Sequence, residues 1–141
     1  MGDEFVPDIL GIFCRWCSYT AADLAGVSRL KMPPTTKVVR VMCSSRADPV
    51  FGLGALLAGA DGVLVAGCAP GDCHYKTGNY QTRRRYAMVE KIFDTVGLDN
   101  RRLKLVWIPA SEGTKVKRVV TAMTESLKEA GPNPTREEMF I

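Results

Sequence analysis

Five cysteines, Cys14, Cys17, Cys43, Cys68 and Cys73, stand beside a single histidine, His74, in this chain. Thiolates are soft ligands that select zinc, copper(I) or iron–sulfur clusters, and four of them complete either a closed zinc site or a [2Fe–2S] cluster. Five candidates for four places leave one spare. Zinc sites of this kind more often draw on two Cys-x-x-Cys knuckles, and only Cys14-Arg15-Trp16-Cys17 has that spacing. Cys68 and Cys73 bracket a wider loop and Cys43 stands alone, a scatter that favours a binuclear cluster whose irons each take a pair of thiolates from different loops. Gly67, Gly71 and the turn-forming Pro70 suit it too, because they let backbone N–H groups approach inorganic sulfide. A different chemistry, thiol–disulfide exchange, would use Cys14 and Cys17, with a helix N-terminus lowering the pKa of the first thiol. It leaves Cys43, Cys68 and Cys73 without a task. A zinc-stabilised interaction module and a thiol–disulfide redox protein are the alternatives to the iron–sulfur reading.

The remaining chemical candidates are weaker. His74 suits a hydrogen-bonding neighbour of the site or a surface residue, since Rieske-type clusters require two histidines. Asp72 follows Gly71 as a turn residue would. A Ser–His–Asp site would rest on His74 alone, so hydrolysis is poorly supported. Gly52-Leu-Gly54 and Gly59-Ala-Asp-Gly62 do not form Gly-x-Gly-x-x-Gly between a strand and a helix, and read as close packing and a turn.

The elements that must position the thiols follow from the apolar runs. Ile9 to Cys14, Val38 to Cys43, Val63 to Gly67 and Leu103 to Ile108 read as strands, rich in Val, Ile and Leu and lacking a polar face. Strands of that kind are covered by helices on both sides. Helices are expected near Tyr19 to Leu30, Val50 to Ala58, Gln81 to Val96 and Lys115 to Ala130, stopped by Pro33-Pro34, Gly59, Gly97 and Gly131-Pro132. The alternation predicts an α/β fold: a single domain with a small, open, mainly parallel sheet of about four strands and flanking helices. Every cysteine then falls at or just past a strand's C-terminal end, the edge where open α/β proteins form their ligand crevice. The domain is expected over residues 1–132, with 133–141 a tail that docks on a partner or stays free.

Composition narrows the class. The chain has 141 residues, 46% apolar and 24% charged, with a formal net charge of +4. That is enough for one real core, too apolar for a disordered chain, and no apolar run reaches the roughly 18 residues of a membrane span. No membrane association is expected. No cationic leader with an apolar segment is visible, which points to the cytoplasm, where grouped cysteines serve metal or redox chemistry. Arg83, Arg84 and Arg85, with Arg101 and Arg102, are the main basic excess; a solvated face or a dock for an acidic partner explains them better than nucleic acid does.

Several strings carry a family resemblance. Cys14-Arg-Trp-Cys17-Ser-Tyr with Ala22-Asp-Leu-Ala-Gly26, and Arg40-Val-Met-Cys43-Ser-Ser-Arg46 with Asp48-Pro49, resemble the delta-subunit family of methyl-viologen-reducing (F420-non-reducing) hydrogenases. So do Gly59-Ala-Asp-Gly62-Val-Leu-Val, Gly67-Cys68-Ala-Pro-Gly-Asp-Cys-His-Tyr75, Gly78-Asn79 and Trp107, and the likeness runs from about Ile9 to Pro132. The family commonly has His where Ala69 stands, a departure that removes no thiolate. The resemblance implies a small [2Fe–2S] electron-transfer subunit of a methanogenic oxidoreductase complex, with no active site of its own. It would relay electrons from a nickel–iron hydrogenase, or in some organisms formate dehydrogenase, to the flavin-containing subunit of heterodisulfide reductase. Four of Cys14, Cys17, Cys43, Cys68 and Cys73 would be ligands, with Arg15, Trp16 and Arg46 near the cluster or at an interface.

Overall fold

The structure, a computed structural model, describes residues 4–138. Four strands, β1 (Ile9–Cys14), β2 (Thr36–Val41), β3 (Gly62–Gly67) and β4 (Leu103–Trp107), form one sheet in the order β2-β1-β3-β4, and every neighbouring pair is parallel. Between and after them run α1 (Ser18–Val27), α2 (Pro49–Leu57), α3 (Gly78–Val96), α4 (Gly113–Ala130) and the short α5 (Thr135–Glu138). The expected α/β class, parallel sheet and four main helices are all present.

Both faces of the two central strands are covered, and the expectation of cover on both sides fails at β2. Ile9, Phe13, Leu64 and Ile108 pack under α1 and α4 with Ala21, Ala25, Val120, Met123 and Leu127. Ile12, Val63, Val65 and Leu103 pack on the other face with Leu56, Tyr86, Val89 and Phe93. β3 is buried along its whole length, as its unbroken run GVLVAG requires, whereas β2 is an exposed edge strand.

Boundaries differ from expectation where pairing or capping outweighs local pattern. β2 starts at Thr36, paired with Ile9, and stops at Val41, so Cys43 stands two residues past the strand rather than closing it. α1 stops at Val27 instead of reaching Leu30, because Arg29 is left-handed (φ 55°) and the N–H groups of Arg29 and Leu30 bond back to Gly26 and Ala25. Gly59 and Gly97, with φ of 101° and 79°, end α2 and α3 as expected. α3 begins at Gly78, three residues ahead of the expected Gln81.

At the N-terminal edge of the sheet, Asp61 is fully buried; it accepts hydrogen bonds from the backbone N–H groups of Asp8 (2.8 Å) and Asn133 (2.9 Å), and Arg136 lies 3.2 Å away. Arg102 donates to the carbonyls of Asp61, Gly131 and Pro132. Residues 131–136, for which the apolar pattern offers no place, are thus seated on the domain by polar contacts; residues 139–141 of the expected tail lie outside the described residues. No described helix is long and apolar enough to cross a membrane.

Candidate metal centre

The strand order reverses between β1 and β3, since β1 leads outward to β2 and β3 leads outward the other way to β4. The crevice of an open α/β sheet lies at the C-terminal ends of such a pair. Cys14 closes β1 and Cys68 follows β3 there, and their sulfurs are 3.6 Å apart. Cys43, beyond β2, and Cys73, in the loop after Cys68, form a second pair with sulfurs 3.8 Å apart. Cys14, Cys43, Cys68 and Cys73 make one buried cluster, and half-exposed Cys17 packs against it. All five are free thiols. The expected convergence of sequence-distant cysteines at one sheet edge is therefore what the fold produces.

Both distances suit metal ligation. Two thiolates at about 2.3 Å from a tetrahedral metal lie about 3.8 Å apart, the edge of the tetrahedron. Four of the five thiols stand two and two, with Cys17 packed beside them; among the described residues, no three His, Cys, Asp or Glu side chains converge where a single ion could sit. Gly78 borders the second pair so closely that a Cβ there would overlap the Cys43 sulfur and lie 3.2 Å from that of Cys73. Ala is a better helix former than Gly, yet Gly78→Ala fills the space beside this pair. The expected outcome is a protein of unchanged helix content by circular dichroism whose bound metal per chain falls by more than half; full metal content would show that the space is not needed.

The thiols differ electrostatically. Cys14 is held well below its ordinary value, chiefly because it accepts a hydrogen bond from Cys68, with burial opposing. Cys68, the donor, is pushed up by that bond and by burial. Burial raises Cys17, opposed by its own hydrogen bond from Cys68. In the metal-free chain Cys14 is thus the pair's more ready thiolate. The Ser18 N–H, at the start of α1, points to the Cys14 sulfur at 3.5 Å.

Residues that position the thiols carry no chemical signal of their own in the sequence. Asn79, almost fully buried, donates through Nδ2 to the carbonyls of Cys68 (3.0 Å) and Ala69 (2.9 Å), tying the first cysteine of the loop to the start of α3. The segment after Cys43, a one-turn 3-10 helix over Ser44–Arg46, is held by three side chains of α3: Thr82 to Ser44 Oγ, Arg85 to the Ser45 carbonyl and Tyr86 to the Ala47 carbonyl. These form a stripe at helical spacing, the one signal that could have found them. Gly67 lets Ser44 and Trp107 pack closely, since a Cβ there would meet both at 3.0 Å or less. Gly71 (φ 91°) makes a turn.

His74 stacks on Trp16, ring centroids 3.7 Å apart and planes 15° from parallel, so it joins the Cys68–Cys73 loop to the Cys14–Cys17 turn. Trp16 Nε1 donates to Tyr75 Oη at 3.3 Å and the Arg15 guanidinium lies 5.2 Å from the Trp16 ring. Arg46 is exposed.

Residues 9–131 match the family described as methyl-viologen-reducing hydrogenase, delta subunit. The chain belongs to that family. Among relatives of this delta-subunit family, the iron-sulfur subunit of the F420-non-reducing hydrogenase of Archaeoglobus profundus is 48% identical over 132 residues, which span 94% of this chain and 96% of that protein. The iron-sulfur subunit of an F420-non-reducing hydrogenase from Methanococcus voltae is 43% identical, over 97% of this chain and 95% of that one. One polypeptide of the ferredoxin:CoB-CoM heterodisulfide reductase of Methanosarcina mazei is 44% identical over 89% of this chain, which there corresponds to 16% of a much longer protein. The delta-subunit fold thus occurs both as a short chain and as one part of a larger one.

Proposed function

We propose that this chain is an iron–sulfur electron-transfer subunit in which Cys14, Cys43, Cys68 and Cys73 hold a [2Fe–2S] cluster and Cys17 is the spare thiol. The observation that carries the reading is the grouping of four buried sulfurs into two pairs, 3.6 and 3.8 Å apart, each at the edge length of a tetrahedral metal. A closed zinc site would instead gather all four thiolates around one centre. Thiol–disulfide exchange between Cys14 and Cys17 is less well supported, because Cys14 is 1% exposed and shares its hydrogen bond with Cys68.

The bound cluster would supply one-electron storage, and the protein's task is to hold its ligands in the same geometry in both oxidation states. The buried polar ties from Asn79, Thr82 and Tyr86 serve that task. The relay we propose runs from a hydrogenase, or formate dehydrogenase where that is the donor, to the flavin-bearing subunit of heterodisulfide reductase in the cytoplasm. The names of the relatives support both ends of it in outline. We propose that the chain serves as a relay with no active site of its own.

Anaerobic purification tests this reading. The expected product is brown, with iron and acid-labile sulfide in equal amounts, absorbance that bleaches on reduction and an EPR signal in the reduced state. A colourless protein carrying zinc in place of iron would overturn it.

A further inference from the structure

We infer that the surface built from Trp16, His74, Tyr75, Tyr80, Arg83 and Arg84 is the docking face for the flavin-bearing subunit of heterodisulfide reductase, and that it receives an acidic patch of that partner. The inference rests on the electron-transfer reading above and adds to it where the acceptor binds.

Three observations converge on this face. Trp16, Tyr75 and Tyr80 are 38%, 45% and 39% exposed, and with Phe51 they are the exposed large aromatics among the described residues. Trp, Tyr and Arg are the residue types that dominate the binding energy of protein interfaces. The aromatics are also ordered before any partner arrives: Trp16 is fixed by its stack on His74 and its hydrogen bond to Tyr75, so little side-chain freedom remains to be lost on docking. From Tyr75 the chain turns directly into α3, where Tyr80, Arg83, Arg84 and Ala87 line one open groove.

The second observation is charge. From His74 to Met88 the chain carries four cations, Lys76, Arg83, Arg84 and Arg85, and no carboxylate; Asp72 precedes the stretch. Arg85 is engaged with the Ser45 carbonyl, while among the described residues no ion pair is formed by Lys76, Arg83 or Arg84. Such a field steers an acidic surface to the aromatic anchors.

The third is position. Trp16 immediately precedes Cys17 and His74 immediately follows Cys73, so a partner seated here lies against the loops that carry the thiols, while α1 and α4 on one side and α2 and α3 on the other cover the sheet. A heterodisulfide reductase subunit is the occupant because the Methanosarcina relatives, long polypeptides of that enzyme, carry a stretch like this one within themselves. A separate chain lacks that tether and needs a surface to replace it.

The test uses the anaerobically purified full chain, with the flavin-bearing reductase subunit and the hydrogenase from the same organism, and two variants, Trp16→Ala and Arg83→Glu/Arg84→Glu. Binding is measured by calorimetry at low and high salt. Iron content and the EPR spectrum of the same samples report the cluster separately. Expected is a weakening of at least tenfold toward the reductase subunit in both variants, a flatter salt dependence for the double variant, and an unchanged spectrum. If Trp16→Ala loses iron, the double variant, which replaces no residue next to a cysteine in the sequence, decides alone. A weakening below tenfold with the spectrum intact, or a loss confined to hydrogenase, overturns the docking assignment. Iron-free wild-type protein overturns the electron-transfer reading instead.

Discussion

Single replacement of Cys43, Cys68 or Cys73 by alanine is expected to abolish the visible absorption and the reduced-state EPR signal, while Cys17→Ala keeps both. The pairing accounts for the difference. Cys43 and Cys73 have only each other within 3.8 Å, so loss of either sulfur leaves one metal with half its protein ligands. Cys68 is the partner of Cys14, 3.6 Å away, so its loss breaks the other pair in the same way. Cys14→Ala is the more searching case, because Cys17 stands beside Cys68 and can enter the vacated position. The ligand assignment predicts loss of the cluster there too, or a cluster with an altered EPR line shape. A wild-type spectrum from Cys14→Ala together with a bleached Cys17→Ala would exchange the two residues' roles. Iron analysis with EPR on all five variants decides the matter.

Asp61→Ala is expected to lower stability by about 3 kcal/mol, roughly 10 °C in melting temperature for a chain of this size. Two effects oppose each other. Removing a buried carboxylate relieves its desolvation, which can make such a change nearly neutral when its partners leave with it. Here the partners stay: the N–H groups of Asp8 and Asn133 would be left inside without acceptors, and Arg136 would lose its counter-charge. Each stranded donor costs about 1–3 kcal/mol, so the loss wins. Asn133 also donates to the carbonyls of Leu56 and Ala60, so its release loosens the end of α2. Asp61→Asn keeps one acceptor and should cost less than half as much. Urea unfolding followed by circular dichroism measures both, and a loss below about 1 kcal/mol for Asp61→Ala would show that the carboxylate does not hold residues 131–136.

The architecture is legible in the sequence because its signals are local. Unbroken apolar runs of strand length, alternating with longer helical stretches, leave few options beyond a parallel sheet covered on both faces. Helix ends are legible where glycine supplies the left-handed residue, as at Gly59 and Gly97, and not at Arg29, where an ordinary side chain adopts that conformation. The start of α3 is hidden because Gly78 and Asn79 are poor helix formers; in the fold a Cβ at the first would overlap the Cys43 sulfur, and the amide of the second donates to the Cys68 carbonyl.

By itself the sequence determined the α/β class, the four strands and the placing of five thiols at one edge, because each depends on residue type and spacing along the chain. Only the tertiary structure decided how the thiols pair. Strand order puts β1 beside β3 and so Cys14 beside Cys68, while α3 fixes the segment after Cys43 against Cys73. The proposed spare, Cys17, is half-exposed and packs against the other four, although its spacing from Cys14 makes it look the natural partner. Proximity across the sheet depends on which strands are neighbours, and chain spacing carries no record of that.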